Sequence, residues 1–294
     1  MRKALLVWSI LAVIWGSTWI FIKLGLRDLP PLTFAGLRFL LAAVVLWGVV
    51  WIRRAKLPAQ PGQWRALIWT GLIAISLNYG LVFWGEHRIT SGLAAVLQST
   101  IPVFGLFLAH YFLPTERITM RKLGGVALGV VGVAIIFYDQ MTIEGRAGLD
   151  GSLALLCSSA CVAYANVLVK ARLHHVDPAA LAASQMLFGF VPLLLLGIWW
   201  EGNPLMLRWS AVSILSLLYL ALVGSALAFL LYYWLITQIE VTKTLLISLV
   251  TPVVALFIGS VTIGEQVTTA ILLGSLAILG GIALIVIPRR NRIN

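Results

Sequence analysis

Apolar residues come in ten runs along the chain, at residues 5–25, 32–51, 66–84, 92–113 and 123–138, then 153–169, 181–200, 212–235, 245–263 and 270–287. Most approach the roughly 20 residues that a helix needs to cross the hydrocarbon of a bilayer. The polar segments between them are short and leave no room for a soluble domain. The pattern therefore predicts an all-α integral membrane protein of ten transmembrane helices.

Composition agrees. Of 294 residues, 61% are hydrophobic and 11% charged, and the mean hydropathy is +1.01. A soluble domain carries roughly a quarter of its residues charged. The net charge of +11 would suggest nucleic acid as the partner of a soluble protein. Here the basic residues sit between the apolar runs, so they report topology, and the lipid bilayer is the expected partner in place of nucleic acid. With a cytoplasmic N-terminus, Arg2, Lys3, Arg53, Arg54, Lys56, Arg65, Arg117, Arg121, Lys122, Lys170, Arg172, Lys243, Arg289, Arg290 and Arg292 fall inside. Only Arg27, Arg88, Arg146 and Arg208 fall outside. Removing one helix midway would destroy that contrast, so charge supports both ten spans and cytoplasmic termini. The opening Met1-Arg2-Lys3 imitates a signal peptide. The apolar run after it continues to Gly25 and has no small-x-small cleavage site, so it is read as a permanent helix.

The chain also repeats itself. Lys23, Pro31 and Arg38 match Lys170, Pro178 and Gln185 at one offset. Trp84 and Pro102 match Trp234 and Pro252, and Glu116, Gly125 and Gly132 match Glu265, Gly274 and Gly281. Each half holds five spans. Five is odd, so the second half must enter the membrane upside down, as in carriers that work by alternating access. The expected units are a first five-helix repeat at 1–140, an inverted second one at 150–288 and a cytoplasmic basic tail at 289–294.

The stretch Trp15-Gly16-Ser17-Thr18-Trp19 through Lys23, then Pro30-Pro31 and Leu37-Arg38-Phe39, resembles the opening of EamA-type members of the drug/metabolite transporter superfamily. A second signature runs from Ser91-Gly92-Leu93-Ala94-Ala95 through Pro102 to Glu116, Gly124, Gly125, Gly129 and Gly132. Its echo passes through Pro252, Glu265, Gly274, Gly280 and Gly281. The resemblance covers nearly the whole chain. It implies ten helices around a central cavity, and export of amino acids or related small metabolites across a bacterial inner membrane. Export of drugs or organic cations by the same fold is the alternative.

Candidate cavity residues follow from polar and aromatic groups at membrane depth. The first helix offers Trp15 and Trp19, and the third offers Ser76, Asn78, Tyr79 and Phe83. The fourth contributes Gln98, the sixth Tyr164 and Asn166, the eighth Phe229 and Tyr233, and the ninth Thr244 and Ser248. Pro102 and Pro252 deprive the carbonyls of Gln98 and Ser248 of helical partners, which makes both prolines candidate hinges or gates. His87, in Glu86-His87-Arg88, is a candidate gate at the cavity mouth. Arg38 is read as structural, with pairing to a substrate carboxylate and outward snorkelling as the competing readings. Glu116 and Glu265 are expected to favour the starts of the fifth and tenth helices, and Lys23 and Lys170 to snorkel. Gly125, Gly129 and Gly132 are expected to pack within the chain, which is read as a monomer.

Other chemistry finds no support. Cys157 and Cys161 stand one turn apart with no third ligand, so neither a metal nor a cofactor is expected. No phosphate-binding loop, H-E-x-x-H or G-x-S-x-G occurs, which argues against a primary pump and an intramembrane enzyme. The loops are too short for a channel filter. Every Asp and Glu lies near a span end, so facilitated diffusion or exchange is expected over proton coupling.

Overall fold

A computed structural model describes residues 2–86, 88–89, 91–136, 138, 145–263 and 268–286. Their regular elements are all helical. Helices α1 (Arg2–Gly25) and α2 (Pro31–Ile52) are followed by α3 (Pro61–Gly71), which runs through a π-helical turn, Leu72–Leu77, into α4 (Asn78–Glu86). Next come α5 (Ser91–Gln98), α6 (Ile101–Phe112) and α7 (Met120–Ile136). The second half holds α8 (Gly145–Arg172), α9 (Pro178–Glu201) and α10 (Ala211–Ala221). Helix α10 passes through a second π-helical turn, Leu222–Leu227, into α11 (Ala228–Gln238). Helices α12 (Val241–Leu245), α13 (Ile247–Ile263) and α14 (Thr269–Val286) complete it.

Among the described residues, seven helical stretches are long and apolar enough to cross a membrane. The expected fourth and ninth spans are each divided, and the expected fifth, α7, has 17 residues. The divisions have local causes. The Ser99 and Thr100 hydroxyls donate to the carbonyls of Val96 and Leu97, competing with the helical ladder. Pro102 was expected to kink a continuous helix. Instead α5 stops and α6 restarts with Pro102 in its first turn, where a helix leaves its amides free and a missing N–H costs nothing. Pro252 does lie inside α13. The Ser248 carbonyl it deprives accepts from Thr251 Oγ1 at 3.2 Å.

Matching helices of the two halves pack on each other, α2 on α9 and α7 on α14, while α1 packs on α13 as α8 packs on α6. Gly36 meets Leu194 where Gly197 meets Thr33, so α2 and α9 run antiparallel. Gly125 faces Gly281 and Gly132 faces Gly274, so α7 and α14 do too. The glycines bring backbones together: a Cβ on Gly281 would stand 2.4 Å from the Gly125 carbonyl oxygen.

Charged groups serve helix ends. Glu201, at the end of α9, accepts from the Leu32 and Thr33 amides at 2.8 and 2.7 Å. Asp177 caps its own helix through the Ala179 amide at 2.8 Å. Glu116 departs from expectation: it serves α12, not the fifth span. Its carboxylate accepts from the Val241 and Thr242 amides at 2.7 and 3.1 Å and from the Thr242 hydroxyl at 2.9 Å. Buried at 2% exposure, it needs strong donors, and the free first-turn amides of a helix in the other half supply them. Lys170 also departs from its expected snorkelling. Its ammonium donates to the Ile236 and Ile239 carbonyls at the end of α11. Glu265 and the Lys23 side chain lie outside the described residues.

Glu240, between α11 and α12, pairs with Lys122 at 2.7 Å and Lys243 at 2.8 Å. Partial burial raises its carboxyl, but hydrogen bonds and charge from the two lysines outweigh that and hold it below its ordinary value of 4.5. A carboxyl depressed by folding adds stability above its unfolded pKa and loses it as pH falls through the folded one. The wild type should therefore out-stabilise Glu240→Gln at pH 7 by no more than about 1 kcal/mol, as partly exposed pairs do. The gap should close on acidification below the ordinary carboxylate range. Thermal unfolding of detergent-purified protein at stepped pH checks this. A gap that stays constant to low pH would show the pair adds nothing.

Candidate functional site

A cavity of about 180 Å³ lies where the two halves meet. Aromatic rings form much of its wall. The Trp15 ring lies 5.0 Å from Tyr232 and 5.9 Å from Phe229, and Phe229 lies 5.8 Å from Tyr233. Phe39 joins them at 6.4 Å from Phe229, and Tyr79 packs on Phe83 and on the edge of Phe39, at 6.4 and 4.7 Å.

The two π-helical turns shape this wall. A π turn widens the helix and frees carbonyls from regular pairing, a feature common at functional sites. Both turns present the same carbonyl position to side chains. Ala74 O accepts from Asn78 Nδ2 at 3.2 Å. Gly224 O, its repeat partner, accepts from Trp15 Nε1 at 3.3 Å and Arg38 Nη2 at 3.2 Å. A Cβ at Gly224 would stand 2.8 Å from Thr18 Cγ2, so this approach requires glycine.

Besides Arg38 and the tyrosine phenols, polar groups of two kinds face the space. Amides come from Asn78, Gln98 and Asn166. Ser158 donates to Asn78 Oδ1 at 2.7 Å and accepts from Gln98 Nε2 at 3.5 Å, fixing the first two. Hydroxyls come from Thr18, Thr244, Ser248 and Thr251. Each donates its proton to a backbone carbonyl three or four residues earlier, at 2.7, 3.2, 2.9 and 3.2 Å. Their lone pairs are what remains for a ligand.

The structure gathers Trp15, Asn78, Tyr79, Phe83, Gln98, Asn166, Phe229, Tyr233, Thr244, Ser248 and Pro252 around the cavity. It places Ser76, Tyr164 and Pro102 elsewhere. Ser76 Oγ donates to the Gly189 carbonyl at 2.6 Å, joining the π turn to α9. Tyr164 packs edge-on against Phe112 at 6.0 Å. Both are helix-packing contacts, the usual alternative fate of a mid-span hydroxyl or ring. The Trp19 side chain and His87 lie outside the described residues. Sequence reasoning misses Thr18, although it stands one turn from Trp15, and it sets Arg38 aside. Arg38 does not snorkel: it is 2% exposed and lines the cavity. The mismatch between Arg38 and Gln185 in otherwise matching halves was its signal. Gln185 is used up in packing, donating to Thr70 and accepting from Tyr233.

Phe83 also borders a second space of about 440 Å³ framed by Pro31, Leu32, Trp84, Arg88, Trp200 and Glu201. The buried Phe83 ring is thus a shared wall of the two spaces.

Comparison with known proteins gives a consistent answer. Residues 2–138 and 149–287 each match the EamA-like transporter family. The uncharacterized transporter YoaV of Bacillus subtilis is 32% identical over 96% of this chain and 96% of its own length. The uncharacterized inner membrane transporter YedA of Escherichia coli is 32% identical over 88% of this chain and 82% of its own. A probable amino-acid metabolite efflux pump of Escherichia coli is 27% identical over 99% and 97%. A solved crystal structure of a protein aligns with a TM-score of 0.84 over 97% of both chains, and at 17% identity it shows the shared fold alone.

Proposed function

The chain belongs to the EamA-like transporter family, and from that premise we propose that it exports amino acids, neutral and aromatic ones among them, and related small metabolites across a bacterial inner membrane. The observation that carries this reading is the central cavity. Its aromatic wall, three amides and four Ser and Thr hydroxyls are the chemistry of a pocket for a small amphipathic molecule. The efflux-pump relative supports the substrate class, and the inner membrane relative the location.

Ten crossings are part of the proposal, with the divided pairs α5–α6 and α12–α13 and the short α7 each counted as one. Antiparallel packing of matching helices supports an inverted repeat, the architecture of alternating access. The breaks at Thr100 and Leu246, with Pro102 and Pro252 close by, are the proposed bending points. Cytoplasmic termini follow from the basic residues. Gly125 and Gly132 are spent inside the chain, which supports a monomer. Among the described residues, no Asp or Glu lines the cavity, which supports exchange or facilitated diffusion.

Counterflow in proteoliposomes tests this. Vesicles preloaded with an unlabelled amino acid should transiently accumulate the labelled one without a pH gradient. Tyr79→Ala and Phe229→Ala should each slow exchange about tenfold or more, the scale of losing an aromatic contact plus its burial. If no amino acid in a full panel drives counterflow, the substrate assignment fails.

A further inference from the structure

Arg38 is a cation with no counter-charge among the described residues. It sits in α2 at 2% exposure, and no ion pair joins it to any described acid. Its fork is held by neutral acceptors. Nε donates to Ser225 Oγ at 2.7 Å and Nη2 to Gly224 O at 3.2 Å, both in the second π turn. The guanidinium carbon lies 5.1 Å from the Phe39 ring and 5.4 Å from the Tyr79 ring. Nη1 has no hydrogen-bond partner among the described residues, although the residue lines the cavity.

A guanidinium buried with one edge unmet is costly, and a bound anion removes that cost. Here two protein contacts fix the fork and leave Nη1 buried without a hydrogen-bond partner among the described residues, the donor that a carboxylate entering from the cavity would take. The hydroxyls of Thr18, Thr244, Ser248 and Thr251 have committed their protons and offer only lone pairs. Lone pairs suit an ammonium group. Trp15, Tyr79 and Phe229 supply the apolar wall of the same cavity.

We propose that Arg38 is the carboxylate anchor of the substrate site, that the substrates are zwitterionic α-amino acids, and that organic cations lacking a carboxylate are discriminated against. The inference rests on the central cavity being the transport site. It also separates the two substrate classes that the fold alone leaves open, because a cation would meet an uncompensated like charge.

The test pairs binding with exchange on the full chain. Binding is read by tryptophan fluorescence of detergent-purified protein, and exchange by counterflow. The probes are phenylalanine, leucine and alanine, each against its carboxamide, which keeps the ammonium and removes the carboxylate. In the wild type at least one acid should bind about tenfold or more tighter than its amide, the effect of losing a charged hydrogen bond. Arg38→Gln should abolish the preference, and Arg38→Lys should keep part of it. The acid–amide comparison needs no variant, so a misfolded Arg38→Gln protein does not shield the proposal. Equal binding of acid and amide, tighter binding of the amide, or no binding by any acid would each overturn it. An unchanged preference in a folded Arg38→Gln protein would do the same. A wild type that binds acids selectively but exchanges none of them retains the anchor and refutes the transport reading. One that exchanges the amides equally well retains transport and refutes the anchor.

Discussion

Gly281→Ala should strip the protein of most of its stability, while Gly280→Ala, one residue away, should leave it unchanged or improve it. A Cβ on Gly281 would stand 2.4 Å from the Gly125 carbonyl oxygen and 3.0 Å from the Gly129 nitrogen. Both are backbone atoms of α7, so no side-chain rotation relieves the clash and α14 must move away. Overpacking of this kind costs about 3 kcal/mol or more when the backbone has to shift. The seam is long: a Cβ on Gly132 would stand 2.6 Å from the Gly274 carbonyl oxygen, and one on Gly274 2.5 Å from that of Gly132. Separation at one end would loosen the other. A Cβ on Gly280 meets only Leu128 Cδ2 at 3.7 Å, and one on Gly124 only Leu284 Cδ2 at 3.8 Å. Those are ordinary contacts, and alanine gains up to about 1 kcal/mol over glycine in a helix interior. Thermal unfolding of the four single variants, Gly124, Gly125, Gly280 and Gly281 to Ala, reads the result. Equal shifts within each neighbouring pair would refute the close approach of α7 and α14.

Glu116→Gln should cost about 2–4 kcal/mol, because a carboxamide has one acceptor oxygen where three donors converge. The Val241 amide, the Thr242 amide and the Thr242 hydroxyl all point at the carboxylate, and at 2% exposure no water replaces a lost partner. Turning the amide NH₂ towards any of them sets donor against donor. Function should suffer with stability, since α12 carries Thr244 and Leu245 and leads into Ser248 on the cavity wall. Glu201→Gln is the comparison. It caps α2 through two amides but is only half-buried, so its loss should be smaller. Thermal unfolding and counterflow on both variants give the ranking. A Glu116→Gln protein as stable as the Glu201→Gln protein would mean that the cap is not what holds α12.

These two cases mark where sequence stops being informative. The ten apolar runs, the basic asymmetry and the repeat were legible because span length and charge are local properties, set by helical hydrogen bonding and hydropathy. Much of the cavity wall was legible for the same reason: an amide or hydroxyl at membrane depth, such as Asn78, Asn166 or Ser248, has few places to face other than the interior. Tertiary structure alone decided what depends on a neighbour distant in the chain. Gly124 and Gly125 are the same residue in the same helix, and only the position of α14 makes one indispensable. Ser76 and Tyr164 read as cavity residues until the Gly189 carbonyl and the Phe112 ring claimed them. Glu116 reads as the cap of the helix that follows it, yet the amides it serves lie more than a hundred positions away. Arg38 reads as a structural charge because most buried cations find an acid. That its partners are a hydroxyl and a π-turn carbonyl, with one nitrogen left over, follows from how the second half closes on the first.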